Sequence, residues 1–413
     1  MLINVFVAMV LLYSLVSGRL ERSVITAPII FTIAGILINI VPLGIQTEKI
    51  GLNVFLIMAE LGLVLLLFTD ASRIERQVLK NISNLPTRLL SIGMLLTILL
   101  GMLCALLVFP GLSIWEAGIL AAILAPTDAG LGQIIVNSPR VPVKIRQALN
   151  VEAGLNDGLS VPFMLFFLAL AGDSGGSQRA SLIHFLIEQL GYGTLVGVGI
   201  GLIGGLLLGF VHRRHWITKT WQPLGLVALP VLCMLVSEMV SASMFIAAFV
   251  AGLAVQVGFK EAGTHSVEFT EGWGQLLNLS IFFLFGMVVG RDWNLFNGNF
   301  LIYAILSLTV VRMVPVAISL IGTRLNRATV LFMGWFGPRG LASIVLGLVG
   351  MEQGLHQSGE STVKLAVIVT VFISIFAHGL SAMPGIALYA RKIRQMPPTA
   401  LEKLHTTQIE PVK

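Results

Sequence analysis

Residues 114–136 read Ile-Trp-Glu-Ala-Gly-Ile-Leu-Ala-Ala-Ile-Leu-Ala-Pro-Thr-Asp-Ala-Gly-Leu-Gly-Gln-Ile-Ile-Val. The run is apolar and long enough to cross a bilayer as one helix. Yet Pro126 sits at its centre, where it removes a backbone donor and crowds the preceding turn. Thr127, Asp128, Ala129 and Gly130 follow it. Small and polar residues beside a proline favour local unwinding. Unwinding frees carbonyl oxygens, which suit a dehydrated monovalent cation, and leaves two helix ends whose partial charges need partners. Asp128 is placed to neutralise one of those ends. The plainer reading is a proline kink with a capping acid.

The rest of the chain makes the membrane setting firm. Of 413 residues, 56% are hydrophobic and 11% charged, against roughly 25% charged in soluble domains. Such a chain cannot cover a water-facing surface. Its apolar runs are long and continuous, not short and alternating, so they read as helices and not as barrel strands. Thirteen segments are read, from Ile3–Val16 to Ala366–Tyr389, with a split at Ser237–Ser241 where Glu238 interrupts an apolar stretch. The class is an all-α polytopic membrane protein, with residues 1–390 as one transmembrane unit and 391–413 as a short cytoplasmic tail. The N-terminus reads as a retained first helix. The basic residues sit in short loops, so the net charge of +6 reflects topology and not nucleic-acid binding. Cys104 and Cys233 lie in apolar segments and read as packing thiols.

Loop charge tests the count. With the N-terminus outside, 20 of the 26 Lys and Arg residues fall in cytoplasmic loops and the tail; Lys49, Arg179, Arg291 and Lys364 fall on the other side, and Arg312 and Arg339 lie within segments. That imbalance supports an odd number of helices with a cytoplasmic C-terminus. An internal echo accompanies it. Leu65–Phe68 and Phe282–Phe285 share a Leu/Phe pattern, and Pro126 returns as Pro338, each a little over two hundred residues later. Six helices on either side of a central seventh would be oppositely oriented, the inverted-repeat plan of secondary transporters.

Acids and arginines inside segments each cost about 2.5–3.5 kcal/mol at mid-bilayer unless paired or hydrated. Here they are Glu60, Asp70, Asp128, Glu152, Asp157, Arg312 and Arg339. In Val151-Glu152-Ala153-Gly154-Leu155-Asn156-Asp157-Gly158-Leu159-Ser160, Glu152, Asn156 and Ser160 recur every four residues and share a helix face. Asp157 is turned about 100° from Asn156. One helix therefore offers two carboxylates to the interior, and one of them reads as a structural ion pair. Gly334-Trp335-Phe336-Gly337-Pro338-Arg339-Gly340 reads as a second break. A buried Arg312 demands an acidic partner.

Pro126-Thr127-Asp128, the run from Glu152 to Asn156-Asp157, Arg312 with Pro315-Val316 after it, and Gly337-Pro338-Arg339-Gly340 resemble the NhaP-type sodium/proton antiporters. These form the electroneutral branch of the monovalent cation/proton antiporters. The resemblance covers nearly the whole chain. It implies a core domain including about 86–171 and 299–390, with the remaining helices forming a dimerisation domain and two unwound helices crossing in the core. It implies Asp157 as the carrier of Na⁺ (or Li⁺) and H⁺, with Asn156, Thr127 and Asp128 at the crossing as further cation- and proton-binding residues. Glu152 and Arg312 are implied as a structural pair, Arg339 as a helix-break partner, and Asp70 and Ser160 as accessory candidates. It implies a homodimer in a prokaryotic plasma membrane and no cofactor. One departure is Ala153, where some relatives have a Ser that lends an oxygen.

The chemistry agrees with the resemblance. Electrogenic relatives carry two adjacent Asp residues where this chain has Asn156-Asp157. Asn does not titrate, and with Glu152 held ionised by Arg312 only Asp157 is free to exchange a proton. Two rival readings stay open at this level: a K⁺/H⁺ antiporter on the same fold, and a Kef-like gated cation efflux system. His212, His215 and His378 join no nucleophile or metal motif, which sets aside an intramembrane enzyme. The reading predicts that Asp157→Asn abolishes cation-driven proton flux in liposomes while leaving a folded protein. Flux at the parent rate would remove Asp157 from the carrier role.

Overall fold

A computed structural model describes residues 2–20, 23–40, 52–73, 84–171, 184, 187–260, 262, 274–352, 359–397 and 400–403, and the regular elements among them are all helical. In chain order they are α1 (Leu2–Leu20), α2 (Ala27–Ile40), α3 (Leu52–Ser72), α4 (Asn84–Val108), α5 (Ile114–Ile123), α6 (Ala129–Val136) and α7 (Val143–Ala171). They continue as α8 (Ile187–Arg213), α9 (Trp221–Met239), α10 (Met244–Gly258), α11 (Gln275–Asp292), α12 (Gly298–Ser319), α13 (Arg327–Trp335), α14 (Leu341–Glu352) and α15 (Glu360–Gln395). Among the described residues, seven helices are long and apolar enough to cross a membrane, and several others are shorter. Two of the expected segments are divided. Ile114–Val136 becomes α5 and α6, and the segment expected over Ala328–Val349 becomes α13 and α14.

Helix starts follow local capping. Ser113 and Glu116 form a reciprocal capping box on α5, and Ser243, Asn297 and Asn326 accept amide bonds at the starts of α10, α12 and α13. The split near Glu238 is real. Ser241 adopts a positive φ of 53° between α9 and α10, and Glu238 itself is exposed. The last helix differs from its sequence reading. It runs 36 residues, beyond Tyr389 to Gln395, because its polar ends continue the helix outside the apolar zone that hydropathy detects. Nor do the described residues of the tail hang free. Glu402 is buried, and its Oε1 accepts 2.8 Å bonds from Asn326 N and Thr329 Oγ1 at the start of α13.

Close backbone approach organises the bundle. Gly197, Gly201, Gly205 and Gly209 repeat every four residues on α8 and press against the carbonyls of Ala247, Ala251, Val255 and Gly258 on α10. Gly35 on α2 and Gly286 on α11 make the same contact with Phe283 O and Thr32 O. Small residues matter here because apolar surface gains little by leaving lipid, so association comes from tight packing. Arg88 donates to Ser319 O and Ile321 O, and Arg291 and Lys364, expected on the same side, share Asp292.

Any side chain at Gly201 would strike the α10 backbone, whereas Gly199 faces open space. We expect Gly201→Leu to lower the melting temperature in detergent, at a cost of about 1–3 kcal/mol or more from overpacking. Gly199→Leu should melt like the parent.

Candidate functional site

The two breaks lie against each other. Asp128 N donates to Pro338 O at 2.8 Å. Asp128 Oδ1 accepts from Leu131 N (2.9 Å) and Oδ2 from Leu341 N (2.5 Å), so one carboxylate caps the N-termini of both α6 and α14. Gly340 must lack a side chain because Asp128 occupies that space. Arg339 answers from the second break. Its Nη1 donates to the carbonyls of Ala125, by a very short contact, and of Pro126 at 2.9 Å, at the end of α5. Ser343 Oγ adds a bond to Ile123 O at 2.8 Å. An acid from one break thus serves helix N-termini, and a cation from the other serves a C-terminus, as the helix dipoles require.

Beside this crossing runs α7. Asn156 Nδ2 donates to Thr127 Oγ1 at 2.7 Å, which ties α7 to the first break. Asp157 is 3% exposed and its Oδ1 accepts no hydrogen bond among the described residues. It lies within electrostatic range of Asp128 and Asp70. Asp70, on α3, packs its Cβ against Gly154 of α7 and holds a loose contact of 3.9 Å with Arg73. One turn before Asn156, Glu152 meets Arg312 of α12 in a bidentate pair, 2.5 Å (Oε1–Nη1) and 3.0 Å (Oε2–Nη2). Both partners are buried, and Arg312 lies against Gly337, so the pair also abuts the second break.

The structure brings Asp157, Asn156, Thr127, Asp128 and Asp70 to one region, and joins Glu152 to Arg312. Asp128, one of the cation- and proton-binding candidates, accepts a backbone amide on each carboxylate oxygen. The hydroxyl of Ser160, an accessory candidate, donates to Asp157 O within its own helix, at 2.8 Å. Glu60 is buried on α3. The sequence reading passed over Glu116, whose Oε1 also accepts from Gly359 N at the start of α15, at 3.0 Å. Its signature, Ser113 followed three residues later by Glu116 before an apolar run, was there to be read. It also passed over Ser374, and so the i, i+4 polar pair that Ser374 makes with His378 in an apolar helix.

Two broken helices thus cross beside α7, on which the buried Asp157 leaves one carboxylate oxygen without a hydrogen bond among the described residues, in an all-helical multi-pass bundle. Residues 5–386 match the family described as "Sodium/hydrogen exchanger, transmembrane", and the chain belongs to that family. It is 27% identical over 271 residues to Na(+)/H(+) antiporter 2 of Zygosaccharomyces rouxii, covering 61% of this chain and 33% of that protein. It is 24% identical over 388 residues to the K(+)/H(+) antiporter NhaP of Alkalimonas amylolytica, 93% of this chain and 65% of that protein. The Na(+)/H(+) antiporter ApNhaP of Aphanothece halophytica is 28% identical over 366 residues, 84% of this chain and 67% of that protein. The chain thus spans from about a third to about two thirds of the length of these relatives. The sodium proton antiporter MjNhaP1 of Methanocaldococcus jannaschii shares the fold, with a TM-score of 0.73 at 20% identity, covering 95% of this chain and 99% of that one.

Removing one member of the Glu152–Arg312 pair strands a buried charge. Arg312→Ala should lose about 3–5 kcal/mol of stability, and the joint change Glu152→Leu with Arg312→Met should recover part of it. Thermal melting in detergent, with the two singles and the double compared, checks this.

Proposed function

We propose that the chain exchanges Na⁺ (or Li⁺) for H⁺, one for one, with Asp157 alternately binding the cation and the proton. The observation that carries the reading is the asymmetry among the buried acids. Glu152 is committed to Arg312 and Asp128 to two helix ends, while Asp157 Oδ1 receives no donor. A bare acceptor oxygen out of water suits either a proton or a desolvated cation. Asn156 supplies an amide in place of a second titrating acid, and Asp70 adds negative charge beside α7. Thr127 and its freed backbone offer neutral oxygens at the crossing. In this reading Asp128 and Arg339 hold the break ends and do not ligate.

The transporting core includes about residues 86–171 and 299–390, and the remaining helices, the glycine-packed α8 and α10 among them, form the dimerisation domain of a homodimer in a prokaryotic plasma membrane. The K⁺/H⁺ reading has one observation in its favour, the K(+)/H(+) antiporter NhaP that matches 93% of the chain. K⁺ therefore belongs in the assay.

A single site that hands over one proton or one monovalent cation moves no net charge. A valinomycin-imposed potential should leave the steady-state Na⁺ gradient in liposomes unchanged. The pH profile follows from the same competition. At low pH protons occupy Asp157 and exclude the cation; at high pH the return step lacks protons. Activity should peak between, and raising Na⁺ should extend it to lower pH. A voltage-shifted gradient would overturn both the stoichiometry and the commitment of Glu152 to Arg312. Parent liposomes in which Na⁺, Li⁺ and K⁺ all leave the internal pH unmoved would overturn the antiport reading.

A further inference from the structure

The second break leaves two lips, Trp335 at the end of α13 and Arg339 just before α14. Both are held by α15. Ser374 and His378 lie one turn apart on that helix and are buried. Ser374 Oγ accepts from Arg339 N at 2.6 Å. His378 Nδ1 lies 3.1 Å from Ser374 Oγ, and Nε2 lies 2.9 Å from Trp335 O. Each ring nitrogen faces a carbonyl, Nε2 that of Trp335 and Nδ1 that of Ser374 at 3.0 Å. The Nε2–H tautomer is the one that bonds both nitrogens: Nε2 donates to Trp335 O, and the Ser374 hydroxyl donates to Nδ1, which then makes no bond to Ser374 O. The result is one chain of bonds: Arg339 N–H to Ser374 Oγ, Ser374 O–H to His378 Nδ1, and His378 Nε2–H to Trp335 O. The indole of Trp335 packs at a tilt against the imidazole, ring centroids 5.2 Å apart, and donates to Ser381 Oγ at 2.9 Å, again on α15.

This chain reaches the ion site through Arg339. The Arg339 amide is fixed by Ser374, and its guanidinium holds the Ala125 and Pro126 carbonyls, next to Thr127. Thr127 in turn holds Asn156. Loosening the lips displaces the guanidinium and with it the frame of the first break. We propose that Ser374 and His378 are positioning residues, a clamp from α15 that sets the width of the second break and thereby the cation KM. The consequence for KM rests on the antiport reading; the clamp does not.

Two measurements separate them. The first is Na⁺-dependent exchange in liposomes for the parent, His378→Leu, His378→Gln and Ser374→Ala. Gln keeps an amide donor for Trp335 O, whereas Leu has none. His378→Leu and Ser374→Ala should each raise KM about tenfold, since each leaves a buried group unbonded, with kcat within about twofold. His378→Gln should return KM to within about threefold of the parent. The double variant should do no more than either single, because one chain is cut only once. The second measurement is amide hydrogen exchange across residues 336–340 in purified protein, which needs no transport. It should quicken in His378→Leu and Ser374→Ala and stay parent-like in His378→Gln. Unchanged exchange rates would overturn the clamp. So would a parent-like KM in active Ser374→Ala, which removes a single oxygen and serves if His378→Leu does not fold. A kcat loss at constant KM, or a defect that Gln does not relieve, would overturn it too. A parent that fails to exchange any cation would sink the antiport reading, and the hydrogen-exchange arm would still decide the clamp.

Discussion

A helix broken in the middle of a membrane strands amides and carbonyls where there is no water to bind them. In this protein each break is the solution to the other. Asp128, from the first, caps α6 and α14, and Arg339, from the second, takes the carbonyls that end α5. Neither side chain could be buried at this depth without those partners, and neither break could persist without those side chains. Most other features near the site serve to keep the two in register. Gly340 leaves room for Asp128, Gly337 leaves room for Arg312, and Ser343 reaches back to α5.

The same economy of charge explains how several buried acids divide their tasks. Glu152 and Asp157 stand five residues apart on α7, but only Glu152 meets a guanidinium. Two charge-assisted hydrogen bonds tie it to Arg312. That pair also joins α7 to α12 and presses on the second break, so the carrier helix and the crossing are positioned together. Asp157 is left with an oxygen that no donor reaches among the described residues. For a site proposed to alternate between proton and cation, such poverty of bonding is useful: a fully hydrogen-bonded carboxylate has less to gain from either.

Packing away from the site uses a different principle. The α8–α10 contact depends on glycine at every fourth position. With backbones in near contact, the two helices form a stiff layer, while the leucines, isoleucines and valines on the outer face of α8 stay exposed. The crossing helices, by contrast, are short and joined by non-helical backbone. Close backbone packing lies in one part of the bundle and the broken, polar elements in another.

Much of this was legible in the residues alone. Membrane helices announce themselves by apolar length, because lipid tolerates no other open-ended element. Pro126 and Pro338 mark the breaks, because a missing donor and a ring clash act locally wherever the chain goes. The spacing of Glu152, Asn156 and Asp157 places them around one helix by geometry that needs no neighbours. What local rules could not supply was the identity of partners from distant segments. Asp128 is equally a ligand or a cap until Leu341, 213 residues away, is seen donating to it. Ser160 faces inward by periodicity, yet its hydroxyl turns to its own backbone. His378 looked like an isolated polar residue until Trp335 and Arg339 were found on either side of it. The reason is physical: periodicity and capping act within a few residues, whereas the satisfaction of a buried polar group depends on which helices pack together.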